Sequence, residues 1–217
     1  IRDRYGTIER GTWNAKVYNY NSERGIPGAI VNNVWRRGER VWDTNSFFQG
    51  SFVKEVNDQF KTQVNAKYAF YRTHYVNNDD KLIEVDNLYK QREVYVSTAN
   101  MYTIFPFWDV SMSYDFQWNE MKADMYGFVF PTRFTNLLSI ATALRLGKVK
   151  LQGSGLATFV NDRVKEGPAP KARQILTPAV FLSYKLFDKH DFSLRAFYKK
   201  TFRMPTFNDL YYADMGN

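Results

Sequence analysis

The sequence predicts an all-β fold, an antiparallel meander of about nine long strands, on the basis of three observations. Apolar and polar residues alternate strictly in its clearest segment, aromatic residues recur in pairs ten positions apart, and short connections alternate with long ones. The composition agrees, because 18 Phe, 15 Tyr and 5 Trp accompany a mean hydropathy of -0.49. Many rings in a polar chain suit a sheet with aromatic belts and one wet face.

The alternation is clearest between residues 108 and 119. Even positions carry Trp, Val, Met, Tyr, Phe and Trp, whereas odd positions carry Asp, Ser, Ser, Asp, Gln and Asn. Successive side chains of a strand point to opposite faces, so this segment is predicted to be a strand with one apolar and one polar face. A helix would spread both sets around its circumference.

The aromatic spacing favours a strand that crosses a membrane. Trp108 and Trp118 lie ten residues apart. At a rise of about 3.3 Å per residue and a tilt of about 40°, their rings are separated by roughly 25 Å along the membrane normal, the height of an outer-membrane apolar band. A soluble sandwich also alternates, but its strands usually have about 5–6 residues. The same spacing recurs in Phe60 with Phe70 and in Phe192 with Phe202.

Strand and loop lengths extend this pattern over residues 1–217, which no change of composition divides. Short turns at one rim and long loops at the other are typical of outer-membrane barrels. Tight links are predicted near 56–58, 104–106, 147–148 and 188–191, and longer ones around 23–40, 77–88, 120–133 and 161–173. The strands are predicted near 12–21, 41–56, 60–75, 89–103, 107–119, 134–147, 148–161, 174–187 and 191–203.

Composition also excludes several classes of function. The chain has no Cys, which excludes disulfides, thiolate metal sites and cysteine nucleophiles. Its longest uncharged run, residues 94–108, is too short for a membrane-spanning helix and contains Pro106. The net charge of +8 is spread along the chain without a nucleic-acid-binding motif, so no nucleic acid is expected as a partner. Anionic lipopolysaccharide explains this charge equally well.

Two stretches carry a family resemblance. Upstream, Arg24-Gly25-x-Pro27-Gly28 precedes a Phe-Phe-Gln-Gly-Ser run at residues 47–51. Downstream, the chain reads Phe202-Arg203-x-Pro205 and then Phe207, Asn208, Asp209, Leu210 and Tyr211. Together and in this order, the two stretches resemble the barrel domain of TonB-dependent outer-membrane receptors.

The resemblance implies part of the wall of an active-import receptor in the bacterial outer membrane. Such a receptor takes up a scarce ligand, here a ferric siderophore, haem or cobalamin, with energy from TonB. The implied partners are the protein's own plug domain, TonB, the small-molecule ligand, and outer-membrane lipid with lipopolysaccharide; no cofactor is implied. No plug, TonB box or closing strand is recognised, so residues 1–217 are expected to form a partial β-barrel domain.

Loop aromatics are the candidate ligand contacts, because flat rings offer contact area at small entropic cost. Packing of one loop against another would explain the same rings equally well. No catalytic, cofactor or metal residue is predicted, since His74 and His190 belong to opposite rims. The candidate rings are Tyr126, Phe128 and Phe130 in one loop and Tyr211 and Tyr212 in another.

Two other functions stay open at this point. A small outer-membrane barrel enzyme requires a Ser or His base cluster near one rim, and the sequence shows none, so the protein is not expected to be an enzyme. A soluble β-sandwich with a binding role is the second alternative. For the receptor wall, we expect an open, curved sheet whose first and last strands do not pair with each other.

Overall fold

The structure, a computed structural model, describes residues 2–8, 10–26, 30–31, 34–35, 39–78, 84–187 and 192–205. These residues form strands joined by turns and loops, and none of them is helical. In this described part, no helix is long and apolar enough to cross a membrane. The strands are β1 (Arg2–Ile8), β2 (Gly11–Ile26), β3 (Ile30–Val31), β4 (Val34–Trp35), β5 (Glu39–Glu55), β6 (Phe60–Asn77), β7 (Val85–Phe105), β8 (Trp108–Ala123), β9 (Thr132–Leu146), β10 (Val149–Arg163), β11 (Arg173–Lys185) and β12 (Ser193–Lys199).

The predicted meander is confirmed. Ten strands form one sheet in the order β1-β2-β5-β6-β7-β8-β9-β10-β11-β12, and every neighbouring pair is antiparallel. The nine predicted strands are all present, and β1 adds a tenth at one edge. The short β3–β4 hairpin stands apart in the long connection between β2 and β5. Within the described residues β1 and β12 do not pair with each other, so the expected open sheet is also confirmed.

Several strands are longer than their sequence pattern predicted. β2 continues to Ile26, β7 begins at Val85, and β8 continues to Ala123. In the β2 and β7 extensions polar residues stand on both faces, so the apolar pattern of the outward face gives no signal there. In the β8 extension the pattern is reversed, because Glu120 and Lys122 stand on the outward face whereas Met121 and Ala123 are buried on the inward side. Backbone pairing continues nevertheless, because an antiparallel ribbon needs only main-chain partners. Parts of the predicted long loops are therefore hairpin arms that extend beyond the apolar band.

β12 is shorter than predicted and ends at Lys199, before Phe202. The Lys200 amide still donates to the Pro178 carbonyl at 3.0 Å, but proline has no N–H to return a bond. The β11–β12 ladder therefore ends at Lys199. The predicted pairing of Phe192 and Phe202 on one strand is therefore wrong.

The sheet has the two faces that the alternation predicts. Met112 stands opposite Asn100 and Ile140, in a row on the outward face, whereas Ser113 stands opposite Ala99 and Ser139 on the other face. We call the face that carries residues 108, 110, 112, 114, 116 and 118 the outward face and the opposite one the inward face. The inward sides of β7 to β12 enclose a cavity of about 460 Å³, which shows that this face is concave.

Burial is inverted relative to a water-soluble protein. Met112 is 50% exposed and Ile140 54% exposed on the outward face, whereas the polar Ser97 on the inward face is only 5% exposed. Large apolar side chains are exposed on the outward side of almost every strand. An apolar surface of this extent marks contact with a membrane or another protein. The alternating apolar-out, polar-in arrangement is that of a membrane barrel wall.

Polar side chains on the outward face bond to one another. Thr62 Oγ1 donates to Asn100 Oδ1 at 2.8 Å, between β6 and β7. The Tyr114 hydroxyl donates to Asn136 Oδ1 at 2.6 Å, between β8 and β9. A polar group in hydrocarbon without such a partner costs several kcal/mol, roughly 2–7. These paired groups are thus compatible with a lipid-facing surface.

Aromatic rings mark the two borders of the outward apolar band. Near the short turns, Phe105 stacks on Phe107 at 5.4 Å and on Trp108 at 6.4 Å between ring centroids. At the other end of β8, Trp118 stands opposite Phe134. Aromatic girdles of this kind lie at the two membrane interfaces of outer-membrane barrels.

We predict that a charge added to the outward face destabilises the membrane-embedded protein and the same charge on the inward face does not. Met112→Arg is expected to cost about 2–4 kcal/mol, because the side chain lies near the middle of the apolar band. Ser113→Arg, one residue further along β8, is the matched control and is expected to cost less than about 1 kcal/mol. Urea unfolding of both variants in lipid vesicles measures the difference. Equal losses for both variants would contradict the assignment of the faces.

Candidate functional site

The inward face carries the polar side chains, and the strand register brings them into contact. Asn65 Nδ2 donates to Ser97 Oγ at 2.9 Å, from β6 to β7. Ser97 and Asn119 are buried although both are polar. In the described part of the chain, no buried side-chain nitrogen or oxygen lacks a hydrogen-bond partner. The inward face is therefore a polar surface whose groups are already held in place.

Lys67 lies at the centre of a polar and aromatic cluster on this face. Its ammonium donates to Glu93 Oε1 at 2.9 Å and to the Tyr71 hydroxyl at 3.3 Å. Lys67 Nζ also lies 5.6 Å from the centre of the Phe47 ring, within cation–π range. Tyr18 stacks on Phe47 with 4.9 Å between ring centroids. Because Glu93 neutralises the Lys67 ammonium, the cluster exposes aromatic rings and a paired charge on the inward face.

A buried ion pair joins β9 to β10 on the inward face, near the long loops. Arg133 Nε and Nη2 donate to the two carboxylate oxygens of Asp162 at 2.6 and 2.7 Å. The two side chains are only 9% and 5% exposed. Arg133 Nη1 also donates to the Pro205 carbonyl at 2.6 Å. Arg133 thus fixes the segment that follows β12 against the inward face.

This segment and the inward face enclose a second cavity of about 440 Å³. Its wall is mixed, since amide and hydroxyl groups come from the strands and apolar groups come mainly from the segment. Such a mixture suits a small organic ligand, in which apolar contacts supply affinity and a few polar groups fix orientation. The cavity is lined by Gln91, Gln117, Asn119, Arg133, Thr135, Leu137, Leu156, Thr158, Phe202, Met204 and Pro205.

The loop between β8 and β9 separates the three aromatic residues predicted there. Phe128 is 3% exposed and packs edge-on against Tyr89 and against Phe130. Phe130 has a φ of 48°, a left-handed conformation unusual for a bulky residue. Tyr126, by contrast, is fully exposed at the tip of the loop. Phe128 and Phe130 therefore anchor the loop, and Tyr126 is the ring of this loop that is free to meet a ligand.

The residues of the family resemblance are only partly described. Arg24 pairs with Asp43 at 2.9 Å, and Gly25 stands in register with Arg40 on the hairpin arm. Phe202, Arg203 and Pro205 lie in the segment held by Arg133. The remaining predicted residues lie outside the described part of the chain: Pro27, Gly28, Phe207, Asn208, Asp209, Leu210, Tyr211 and Tyr212.

His74 lies on the outward face, within hydrogen-bond distance of an aspartate. Its Nε2 lies 2.6 Å from Asp86 Oδ1, and its ring lies 5.3 Å from that of Trp42. Ser22 lines the same surface depression as His74, but β2 directs it to the inward face. Among the described residues no group of three His, Cys, Asp or Glu side chains is placed to hold a metal. His190 lies outside this part of the chain.

Sequence reasoning did not single out Arg133, Asp162 or Glu93. Arg133 and Asp162 lie near the ends of β9 and β10, and Glu93 lies inside β7, so each is one charged residue among other polar residues of its strand. Their roles depend on register, because Arg133 and Asp162 stand directly opposite each other in the β9–β10 ladder. A signal was present in the alternation, which places both residues on the inward face of their strands.

The comparison with protein families agrees with this geometry. The model of the family described as "TonB dependent receptor-like, beta-barrel" matches residues 2–217. The chain belongs to this family. Its members are outer-membrane barrels with a transport role, which agrees with an apolar outward face and a polar concave face. No curated protein matches the sequence.

One of two solved structures that match the chain shares its fold. The chain resembles BauA, the ferric preacinetobactin receptor of Acinetobacter baumannii, with a TM-score of 0.59 and 13% identity, over 85% of this chain and 36% of that one. It thus spans about a third of that receptor's length. The β domain of the Bordetella autotransporter BrkA gives a TM-score of 0.40 and 13% identity, over 91% of this chain and 79% of that one.

We predict that breaking the Arg133–Asp162 pair destabilises the wall. Asp162→Ala removes the bidentate carboxylate partner of the buried Arg133 guanidinium and is expected to cost about 3–5 kcal/mol in urea unfolding. The double variant Arg133→Met with Asp162→Leu is expected to regain most of this loss, since no charge stays buried. Glu23→Gln in the exposed pair with Arg40 is the control and is expected to cost under about 1 kcal/mol. A loss below 1 kcal/mol for Asp162→Ala would contradict this role.

Proposed function

We propose that this chain forms part of the wall of an outer-membrane receptor that imports a scarce ligand with energy from the TonB system. The family match over residues 2–217 is the observation that carries the proposal. The wall geometry supports it, because an apolar outward face and a polar concave face suit a barrel that encloses aqueous space.

The wall is proposed to belong to a larger barrel that encloses a plug domain. Within the described residues β1 pairs only with β2 and β12 only with β11, so both outer strands have an edge available for further strands. The chain also covers only 36% of BauA. The inward groups, already bonded to one another around Lys67 and Glu93, offer a plug a fixed polar surface. TonB is proposed to act on this plug.

The proposed ligand is a ferric siderophore, the class of compound named for BauA. Haem and cobalamin are the alternatives, and the uptake test below separates the three. The cavity beside Arg133 and the exposed ring of Tyr126 are the proposed contacts of the described chain. Tyr211 and Tyr212 stay predicted contacts in the following loop. Phe128 and Phe130 are proposed to support Tyr126 by fixing the base of its loop.

The proposed function involves transport without a chemical reaction on the ligand. A serine hydrolase of the outer membrane would need a serine beside a histidine base. His74 and Ser22 lie on opposite faces of the sheet, which supports transport over this alternative. The outward apolar face also disfavours a soluble sandwich, whose large apolar residues are mainly turned inward.

An uptake experiment tests the proposal. The gene is deleted, and uptake of radioactive iron in the culture's own siderophore, of haem and of labelled cobalamin is measured in parallel. We expect the deletion to abolish uptake of one ligand, the intact gene to restore it, and loss of TonB or of proton motive force to abolish it again. Unchanged uptake of all three ligands would overturn the ligand classes. Uptake that persists without TonB would overturn the energy source.

We predict that Tyr126→Ala weakens binding of the transported ligand about tenfold, equivalent to about 1.4 kcal/mol, with no loss of barrel stability. The ring is fully exposed, so its removal leaves no cavity. Phe128→Ala is the contrasting variant, because it removes a buried ring from the loop anchor and is expected to destabilise the loop. Ligand titration and thermal unfolding of both variants distinguish contact from support. Unchanged affinity in Tyr126→Ala would exclude this ring as a ligand contact.

A further inference from the structure

Five basic side chains lie together on the outward face, on the side of the long loops. We call them the basic patch: Arg72, Lys90, Arg92, Lys122 and Arg163. The strand register places Arg72 opposite Lys90, and Lys90 opposite Lys122, in one row across β6, β7 and β8. All five residues are exposed. None of them takes part in the ligand path on the inward face.

Negative charge compensates only part of the basic patch. Like charges directly opposite each other in a sheet are destabilising. Glu120 stands opposite Arg92 and lies 3.3 Å from Lys122, and in the described part of the chain no other carboxylate forms an ion pair with a residue of the patch. Asp124 follows two residues beyond Lys122 and is exposed. Asp86, further out on β7, pairs with His74. Within the described part of the chain, Arg72 and Lys90 form no ion pair, so an external anion would remove an unfavourable interaction.

The position of the basic patch relative to the membrane is set by the aromatic girdle. Trp118 and Phe134 form this girdle on β8 and β9, and Lys122 lies four residues beyond Trp118. At about 3.3 Å per residue and a tilt of about 40°, Lys122 stands roughly 10 Å above the girdle along the membrane normal. The Arg163 guanidinium lies 5.3 Å from the centre of the Phe134 ring. The basic patch therefore lies at headgroup level, continuous with the apolar band below it.

We propose that the basic patch binds the phosphorylated headgroup of a glycolipid in the outer leaflet. Neighbouring strands are about 4.8 Å apart, so the row from Arg72 to Lys122 spans roughly 10 Å. This span accommodates phosphate groups on a sugar headgroup, and guanidinium groups bind phosphate in a bidentate manner. The acyl chains of the same molecule lie along the apolar outward face. The basic patch is continuous with this apolar face, which favours a lipid as the ligand. A free anion has no acyl chains that could contact the face.

The test uses the full-length protein in detergent with a chelator present, so that no divalent cation bridges the groups. The probe is lipid A with both phosphates, compared with the same lipid without them, and bound lipid is counted by native mass spectrometry. The patch variant combines Arg72→Gln, Lys90→Gln and Lys122→Gln. The charge-matched control combines Lys150→Gln, Lys171→Gln and Arg173→Gln, away from the outward patch.

We expect the patch variant to lose at least tenfold in lipid A affinity, and the control to stay within twofold of the unchanged protein. Removal of the lipid phosphates is expected to cause a similar loss in the unchanged protein. The patch variant is expected to be at least as heat-stable without lipid, since like charges have been removed. Equal binding by the patch variant, or equal binding of the dephosphorylated lipid, would overturn the proposal.

Two further measurements keep the proposal testable if the patch variant folds poorly. Lipid A binding to the unchanged protein is expected to weaken at least fivefold when salt rises from low to high concentration, because headgroup charges are screened. Inorganic phosphate at millimolar concentration is expected to compete weakly, because it lacks the acyl chains. Salt-independent binding would overturn the proposal, and so would displacement of the lipid by phosphate alone.

Discussion

In a hydrocarbon layer a peptide N–H or C=O without a partner costs several kcal/mol, and strand pairing is how this chain satisfies those groups. Nine ladders join ten strands, and each ladder runs in uninterrupted antiparallel register except for one shift at Thr103 and Phe105 beside a tight turn. Because the pairing fixes the strands side by side, each side chain has only two possible directions. The apolar outward face, the polar concave face and the basic patch all depend on this constraint.

The two faces are stabilised in different ways. On the outward face, apolar side chains stay exposed and the few polar ones, such as Thr62 with Asn100, bond to each other. On the inward face, side chains form polar networks such as Lys67 with Glu93. The buried Arg133–Asp162 pair stabilises the wall only while both partners are present, since a single buried charge is costly. This pair also holds the segment after β12 at the mouth of the barrel wall.

The long hairpin arms and the loop between β8 and β9 form one rim of this scaffold. Phe128 fills a small core formed with Tyr89, Met121 and Ala123, so the loop has a packed base although it lies at the rim. In the proposed role of Tyr126 as a ligand contact, such a base would lower the entropic cost of ligand capture, because the loop is already ordered before binding. The three aromatic residues of this loop thus differ in environment, since Phe128 and Phe130 pack against each other and Tyr126 is exposed.

The sequence by itself determined the fold class, the strands and their faces. Successive side chains of a strand point to opposite faces, so the alternation of apolar and polar residues can be seen in the local sequence. Strict alternation at residues 108–119 and the two motif stretches were sufficient to predict a receptor wall. Strand ends such as Ile26 and Lys199 were not predictable. The main-chain pairing of β2 continues to Ile26 without an apolar pattern, and the pairing of β12 stops after Lys199 because Pro178 on β11 has no N–H. Only the tertiary structure decided which residues meet. The Arg133–Asp162 pair, the buried position of Phe128 and the row from Arg72 to Lys122 all join residues distant in sequence, and their contacts follow from strand register, which local patterns do not specify.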